Sequence, residues 1–196
     1  AAFTQTAAFQ FSDFNLGEPG QPAGRIRGMR VTADCLPLLR TSPQLGRVFS
    51  AEEDQPGAPP VVVISYTAWQ QHFAGAPDVV GRTLRLDAES ATVVGVMPPT
   101  FDDTHLWGRV DAWQPMALPP VGAADRENTY LRVVARLRDG LTLAQAQASV
   151  SLLAGQLALA HPAINTDTGV RLVPLVRSVQ DPASHHTTWL VAGLAG

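Results

Sequence analysis

The residues that could do chemistry are few and scattered. Ser65 follows a β-branched run and could act as a nucleophile. No glycine frame surrounds it, so the strained strand-to-helix turn that exposes a nucleophilic serine is missing, and the position reads as a helix N-cap. Glu52, Glu53 and Asp54 could form a carboxylate pair for general acid–base work. They precede Gln55-Pro56-Gly57 in an open loop where nothing would raise a carboxyl pKa, so a solvated acidic loop is expected. Asp102, Asp103 and His105 could hold a divalent cation, but they lack further ligands at regular spacing. His185 and His186 are adjacent, and sequence neighbours do not chelate as an i, i+4 helical pair does. Cys35 lies in the apolar run Cys35-Leu36-Pro37-Leu38-Leu39 and reads as a buried structural thiol. Arg132, Arg136 and Arg138 alternate along one stretch and could bind an anion; the same pattern marks the solvent side of a half-buried sheet. No P-loop is present to cradle a nucleotide phosphate. From these residues no catalytic, cofactor-binding or metal-binding assignment is made, and no cofactor is expected.

Composition narrows the function classes. The chain has 196 residues, 45% of them hydrophobic, enough for one domain or two small subdomains with a real core. Charged residues make up 16%, below the roughly 25% of an average soluble domain. Such a thin charged surface suits faces that meet a partner or a membrane. The net charge of −3 argues against nucleic acid, because a phosphate-binding surface needs a basic excess. All 14 basic residues are arginine, which background composition accounts for. One cysteine cannot form an internal disulfide, so cysteine usage leaves the compartment open.

The elements that must position these residues follow from pattern. Residues 4–14 and 25–31 read as strands, with a Gly/Pro turn at 17–22 between them. Residues 34–39 form a short apolar turn or helix, and 43–57 a loop. Pro60 to Ile64 is a continuous β-branched run, expected as a buried strand. After Ser65, Trp69, His72 and Phe73 share one helical face, which Gly75 and Pro77 end. Residues 82–86 and 91–97 make a hairpin joined by Asp87 to Ser90. Residues 100–128 are irregular, anchored by Trp107 and Trp113. Residues 130–138 alternate as a strand, with Leu131, Val133, Ala135 and Leu137 on one side. Thr142 and Gln145 form a capping box. The helix that follows has one apolar stripe, Leu143, Ala146, Val150, Leu153 and Leu157. Residues 170–176 return as a strand. The fold class is α+β with two subdomains. The apolar end, Trp189 to Gly196, is either an ordinary strand or helix or the first part of a spanning helix.

Several stretches occur in a specific order. They are Arg27-Gly28-Met29-Arg30-Val31-Thr32-Ala33-Asp34 with Leu45-Gly46-Arg47-Val48-Phe49; Val61 to Phe73; Val79 to Leu86 with Thr92 to Pro98; Trp113-Gln114-Pro115; and Leu131 to Thr142 with the helix to 160. This ordered set resembles the periplasmic core domain of MacB-type ABC transporter permeases, especially the duplicated orphan permeases of acidobacteria. One departure is the hairpin tip. The family usually has an Asn-Gly type turn, and Asp87-Ala88-Glu89-Ser90 stands here.

The resemblance implies a porter-like α/β sandwich from residues 1–50 and 121–183, a β-rich subdomain inserted at 51–120, and a tail at 184–196 leading into a transmembrane helix. It implies an extracytoplasmic segment of an inner (plasma) membrane protein, held to the membrane by flanking helices. Such a domain is a non-catalytic lever and docking surface that transmits conformational change during efflux or export. Its implied partners are a cytoplasmic ATPase subunit or domain that this segment does not contact, a periplasmic adaptor, or a second permease copy. Two other readings stay open: a secreted binding or adhesion module without a membrane span, and a hydrolase built around Asp102, Asp103 and His105.

Overall fold

The N-terminal aromatic stretch breaks into two strands where one was expected: β1 is Phe3–Phe11 and β2 is Phe14–Gly17. Gly24–Ile26 (β3) and Gly28–Val31 (β4) follow. Arg27 parts them because its N–H bonds to the Asp111 carboxylate. Cys35–Leu38 forms α1, and Leu45–Gly46 the two-residue β5. Then come β6 (Val61–Ile64), α2 (Tyr66–Phe73), β7 (Thr83–Leu86) and β8 (Glu89–Val96). A 3-10 turn at Pro99–Phe101 precedes β9 (Ala112–Pro115). The last elements are α3 (Pro120–Ala124), β10 (Arg132–Leu137), α4 (Leu143–Ala160), α5 (Pro162–Asn165), β11 (Arg171–Pro174) and β12 (Trp189–Gly193). This computed structural model describes residues 1–17, 24–87, 89–101, 107–124, 130–165, 169–175 and 189–193. The α+β class is the one observed.

The chain divides into two compact units. One is Phe9–Pro119; the other joins Ala1–Ala8 to Pro120–Gly196, so the first is inserted into the second. Residues 9–50, expected with the porter-like part, therefore group with the insert. The reason lies in their pairing partners: β4 runs parallel to β9, and β2 is antiparallel to β7.

In the inserted unit the strand order is β1-β4-β9-β6-β8-β7-β2-β3, with β5 on β8. Only Phe9–Phe11 of β1 belongs to this unit, paired with Met29–Val31. All four residues of β6 are buried, as a strand covered on both faces must be. Val62 and Ile64 join Phe14, Leu16, Leu84, Leu86, Val93 and Trp69 in one cluster. Ser65 caps α2 by accepting from the Ala68 N–H at 3.0 Å. The helix then lays Ala68 and Trp69 onto the core. The hairpin turn is tighter than expected. Leu86 pairs with Glu89, and Asp87 takes a positive φ of 54°. Its carboxylate accepts from both the backbone N–H and the side-chain amide of Asn15, at 2.9 and 2.8 Å. An Asp thus serves where the resemblance favours Asn-Gly.

In the other unit the order is β11-β12-β10-β1. β12 runs parallel to both β10 and β11. Trp189–Gly193 is thus a strand, one of the alternatives its residues left open, and not the opening turn of a helix. Among the described residues no helix is long and apolar enough to cross a membrane. The capping box of α4 is present: Thr142 accepts from the Gln145 N–H, and the Gln145 side chain accepts from the Thr142 N–H.

Gly28 starts β4 under the ring of Phe14, and a Cβ there would overlap that ring. Gly24 has open space around its missing Cβ. Gly28→Ala should therefore lower stability by about 3 kcal/mol, and Gly24→Ala by less than about 0.5 kcal/mol. Urea unfolding of the two variants checks the contrast; equal losses would mean that the Phe14 contact does not constrain the strand.

Candidate functional site

Two carboxylates close the ends of the parallel β4–β9 pair. At the start, Asp111 is 4% exposed. It accepts from the Arg27 N–H at 3.0 Å and from Arg109 Nε at 2.8 Å. Arg109 reaches on to the Gln71 side chain of α2 at 2.8 Å, and the Ser65 N–H donates to the Asp111 carbonyl at 2.9 Å. At the other end, Asp54 accepts from the Ala33 N–H at 2.9 Å and from the Ala117 N–H at 2.8 Å. Ala33 follows β4 and Ala117 follows β9, so one side chain collects both strand exits. Ala117 holds a positive φ of 43°, a conformation that needs such an anchor in a non-glycine residue.

The acidic loop is consequently not a solvated run. Only Glu52 keeps an exposed position. Glu53 makes a two-point pair with Arg47, both contacts at 2.7 Å, and accepts from the Ser50 N–H at 2.8 Å. The Arg47 hydrogen bond is the main cause that holds the Glu53 carboxyl below the usual carboxylate range. Glu52 is lowered too, chiefly by its hydrogen bond with Ser50. What sequence spacing could not show is that Ala33 and Ala117 bring free N–H groups to Asp54 from 21 and 63 residues away.

The other candidates separate. Cys35 is fully buried, and burial pushes its thiol up to about 12, which suits a structural role. Ser65 is 1% exposed and its hydroxyl is committed to the cap of α2. Asp102, Asp103, His105, His185 and His186 lie outside the described residues. Among the described residues no group of three or more His, Cys, Asp or Glu is placed to hold a metal ion.

Two surface readings change. The arginine side of residues 130–138 is not a plain solvent face, because Val134 on that side is fully buried, while Arg138 at its end stays exposed. Arg132 and Arg136 are half-buried and make interactions of their own. In α4 the expected stripe is only partly inside. Ala146 is fully buried, but Leu153 and Leu157 are 54% and 37% exposed. Leu152 and Leu159 are more exposed still. The rotation has a polar cause. The Gln147 amide donates to the Val170 carbonyl and accepts from the Leu172 N–H, both at 2.7 Å. It thereby docks the helix on β11 like one more rung of a ladder. No charged residue occurs in Leu143–Ala160 to mark a solvent face. The helix thus turns a row of leucines outward.

The comparisons with known proteins agree in kind. A family model, MacB-like periplasmic core domain, matches residues 2–153. The macrolide export ATP-binding/permease protein MacB of Hahella chejuensis (strain KCTC 2396) is 27% identical over 136 residues. That stretch is 69% of this chain and 19% of that protein, so the chain spans about a fifth of that relative's length. The extracellular domain of the noncanonic ABC-type transporter YknZ from Gram-positive bacteria superposes with a TM-score of 0.59 at 13% identity, over 82% of this chain and 78% of that one. The periplasmic region of MacB from Actinobacillus actinomycetemcomitans gives 0.57 at 14% identity, over 84% and 71%. At such identities the two structures speak to the fold alone.

Asp54→Ala should cost about 2–3 kcal/mol, because it leaves two strand-exit N–H groups unpaired, whereas Asp54→Asn keeps one acceptor and should lose about half as much. Denaturant unfolding of both variants checks this. The lowered Glu53 carboxyl contributes stability that is present above the ordinary carboxylate pKa of 4.5 and is lost as pH falls through its folded value. The stability gap between the parent chain and Glu53→Gln should therefore shrink from about pH 6 to about pH 3. A gap that does not change with pH would refute the Arg47 pairing.

Proposed function

The chain belongs to the MacB-like periplasmic core domain family, and from that premise we propose that it serves as a non-catalytic lever and docking surface. It is a periplasmic domain of the kind carried by MacB-like ABC transporter permeases, and a transport component. The carrying observation is the family match over residues 2–153.

In this reading ATP hydrolysis occurs in a cytoplasmic subunit or domain that the segment does not touch, and no chemistry is assigned to its own side chains. The domain passes movement from the membrane outward during efflux or export. The unit made from both ends of the chain is assigned the porter-like role, and the inserted unit carries the additional surface. A lever needs stiffness, and the two-ended carboxylate clamp on β4–β9 supplies it in the inserted unit. A docking surface needs accessible apolar area, and Leu152, Leu153 and Leu159 supply that on α4. The partners proposed are a periplasmic adaptor or a second permease copy, with the membrane reached through helices flanking the segment.

The test is protease accessibility of the natural full-length gene product in spheroplasts, with a tag within this segment. Retention in the membrane fraction with cleavage from outside is the expected result. Release as a soluble protein would overturn the reading in favour of a secreted binding module.

A further inference from the structure

The outward face of α4 has an order of its own. Successive helical residues are turned by about 100°, which puts Ala148, Leu152, Gly155 and Leu159 on one line of the surface. That line lies roughly opposite the buried Ala146 and the docked Gln147. Leu152 and Leu159 are 67% and 86% exposed, and Ala148 and Gly155 are exposed as well. A Cβ at Gly155 would meet nothing within 4 Å, so no described side chain fills the notch beside Leu152.

The line is complementary to itself. Its steps of four, three and four residues read the same in both directions, whereas its sizes, small-large-small-large, reverse. Two such lines set antiparallel about a two-fold axis between residues 153 and 154 put Leu152 of one copy at the height of Gly155 of the other. Leu159 then comes to the height of Ala148. Every leucine meets a small residue, the arrangement in which side chains of one helix enter the grooves of another. A parallel pairing would set leucine on leucine and glycine on glycine, leaving a void that close packing does not tolerate. Charge points the same way. Residues 143–160 contain no Lys or Arg, the groups with which a surface helix engages anionic lipid. They contain no charge of either sign, so the face meets its own copy without like-charge repulsion.

We infer that two copies of this chain pack α4 on α4, antiparallel across a two-fold axis, with Leu152 of each copy in the Gly155 notch of the other. The inference rests on the reading of α4 as a docking surface and narrows its partner to a second copy. A seam one helix wide covers less than the roughly 800 Å² per partner of a standard interface, so the isolated chain pairs weakly, with a Kd of about 0.1 mM.

The experiment is sedimentation equilibrium of the 196-residue chain from about 5 μM to about 1 mM, a range that brackets that Kd. The weight-average mass should climb from 20.9 kDa towards twice that value. Gly155→Leu fills the notch and should weaken association at least about tenfold. Its thermal stability should be unchanged or higher, because Leu is the better helix former and has room there. A leucine row that is merely sticky responds in the opposite sense, since added apolar surface strengthens non-specific association. Combining Leu152→Ala with Gly155→Leu moves knob and notch across the axis and should bring association back to within about threefold of the parent. A chain that stays monomeric at about 1 mM would overturn the pairing. So would Gly155→Leu associating as tightly as the parent, or a double variant that recovers nothing. Co-sedimentation of a monomeric chain with phosphatidylcholine–phosphatidylglycerol vesicles would overturn it too and assign the face to lipid. None of these outcomes touches membrane retention in spheroplasts, so the pairing can fail while the permease reading stands.

Discussion

The β4–β9 pair is the constraint on which the inserted unit depends. Parallel strands cannot be joined by a tight turn, and here 84 residues separate Arg27 from the Asp111 that receives it. Closing so long a connection carries an entropy cost that local pairing does not meet. Asp111 and Asp54 add ionised acceptors at the two ends, and charge-assisted bonds are roughly twice as strong as neutral ones. Each carboxylate also satisfies backbone N–H groups that the end of a ladder would otherwise leave bare.

The core depends on that pairing. With β9 held against β4, its other edge is free to take β6, and β6 then takes β8. The cluster around Phe14, Val62, Ile64 and Trp69 needs all these strands in register before it can close. Gln114, Pro115 and Ala117 hold their places because Asp54 fixes the chain just beyond β9.

Legibility in the sequence varied with the range of the interaction that decided each feature. β6, the Ser65 cap, α2, the β7–β8 hairpin and the Thr142 capping box depend on neighbours within a few residues, and pattern revealed them. β9 did not show itself. It is four residues long, buried throughout, ends in Pro115 and lies in a stretch rich in Gly and Pro, so neither alternation nor length marked it. The acidic loop misled for a related reason. Nothing local tells an anchored Asp54 from a solvated one, because its partners arrive from distant segments. The apolar stripe of α4 was read correctly as helical but with too much of it inside. In a helix without charges, the deciding signal was Gln147, whose amide looks like an ordinary polar position until β11 is placed beside it.

By itself the sequence determined the α+β class, the local elements with strong periodicity, and the family resemblance that the comparisons bear out. Those follow from composition, short-range hydrogen bonding and an ordered series of segments, all of which are local properties of the chain. Only the tertiary structure decided that residues 9–50 join the inserted unit, that Trp189–Gly193 adds a parallel strand between β10 and β11, and which face of α4 stays outside. The physical reason is common to all three. Parallel pairing and carboxylate clamps join groups far apart in the chain, and no local pattern encodes which distant backbone group a side chain will meet.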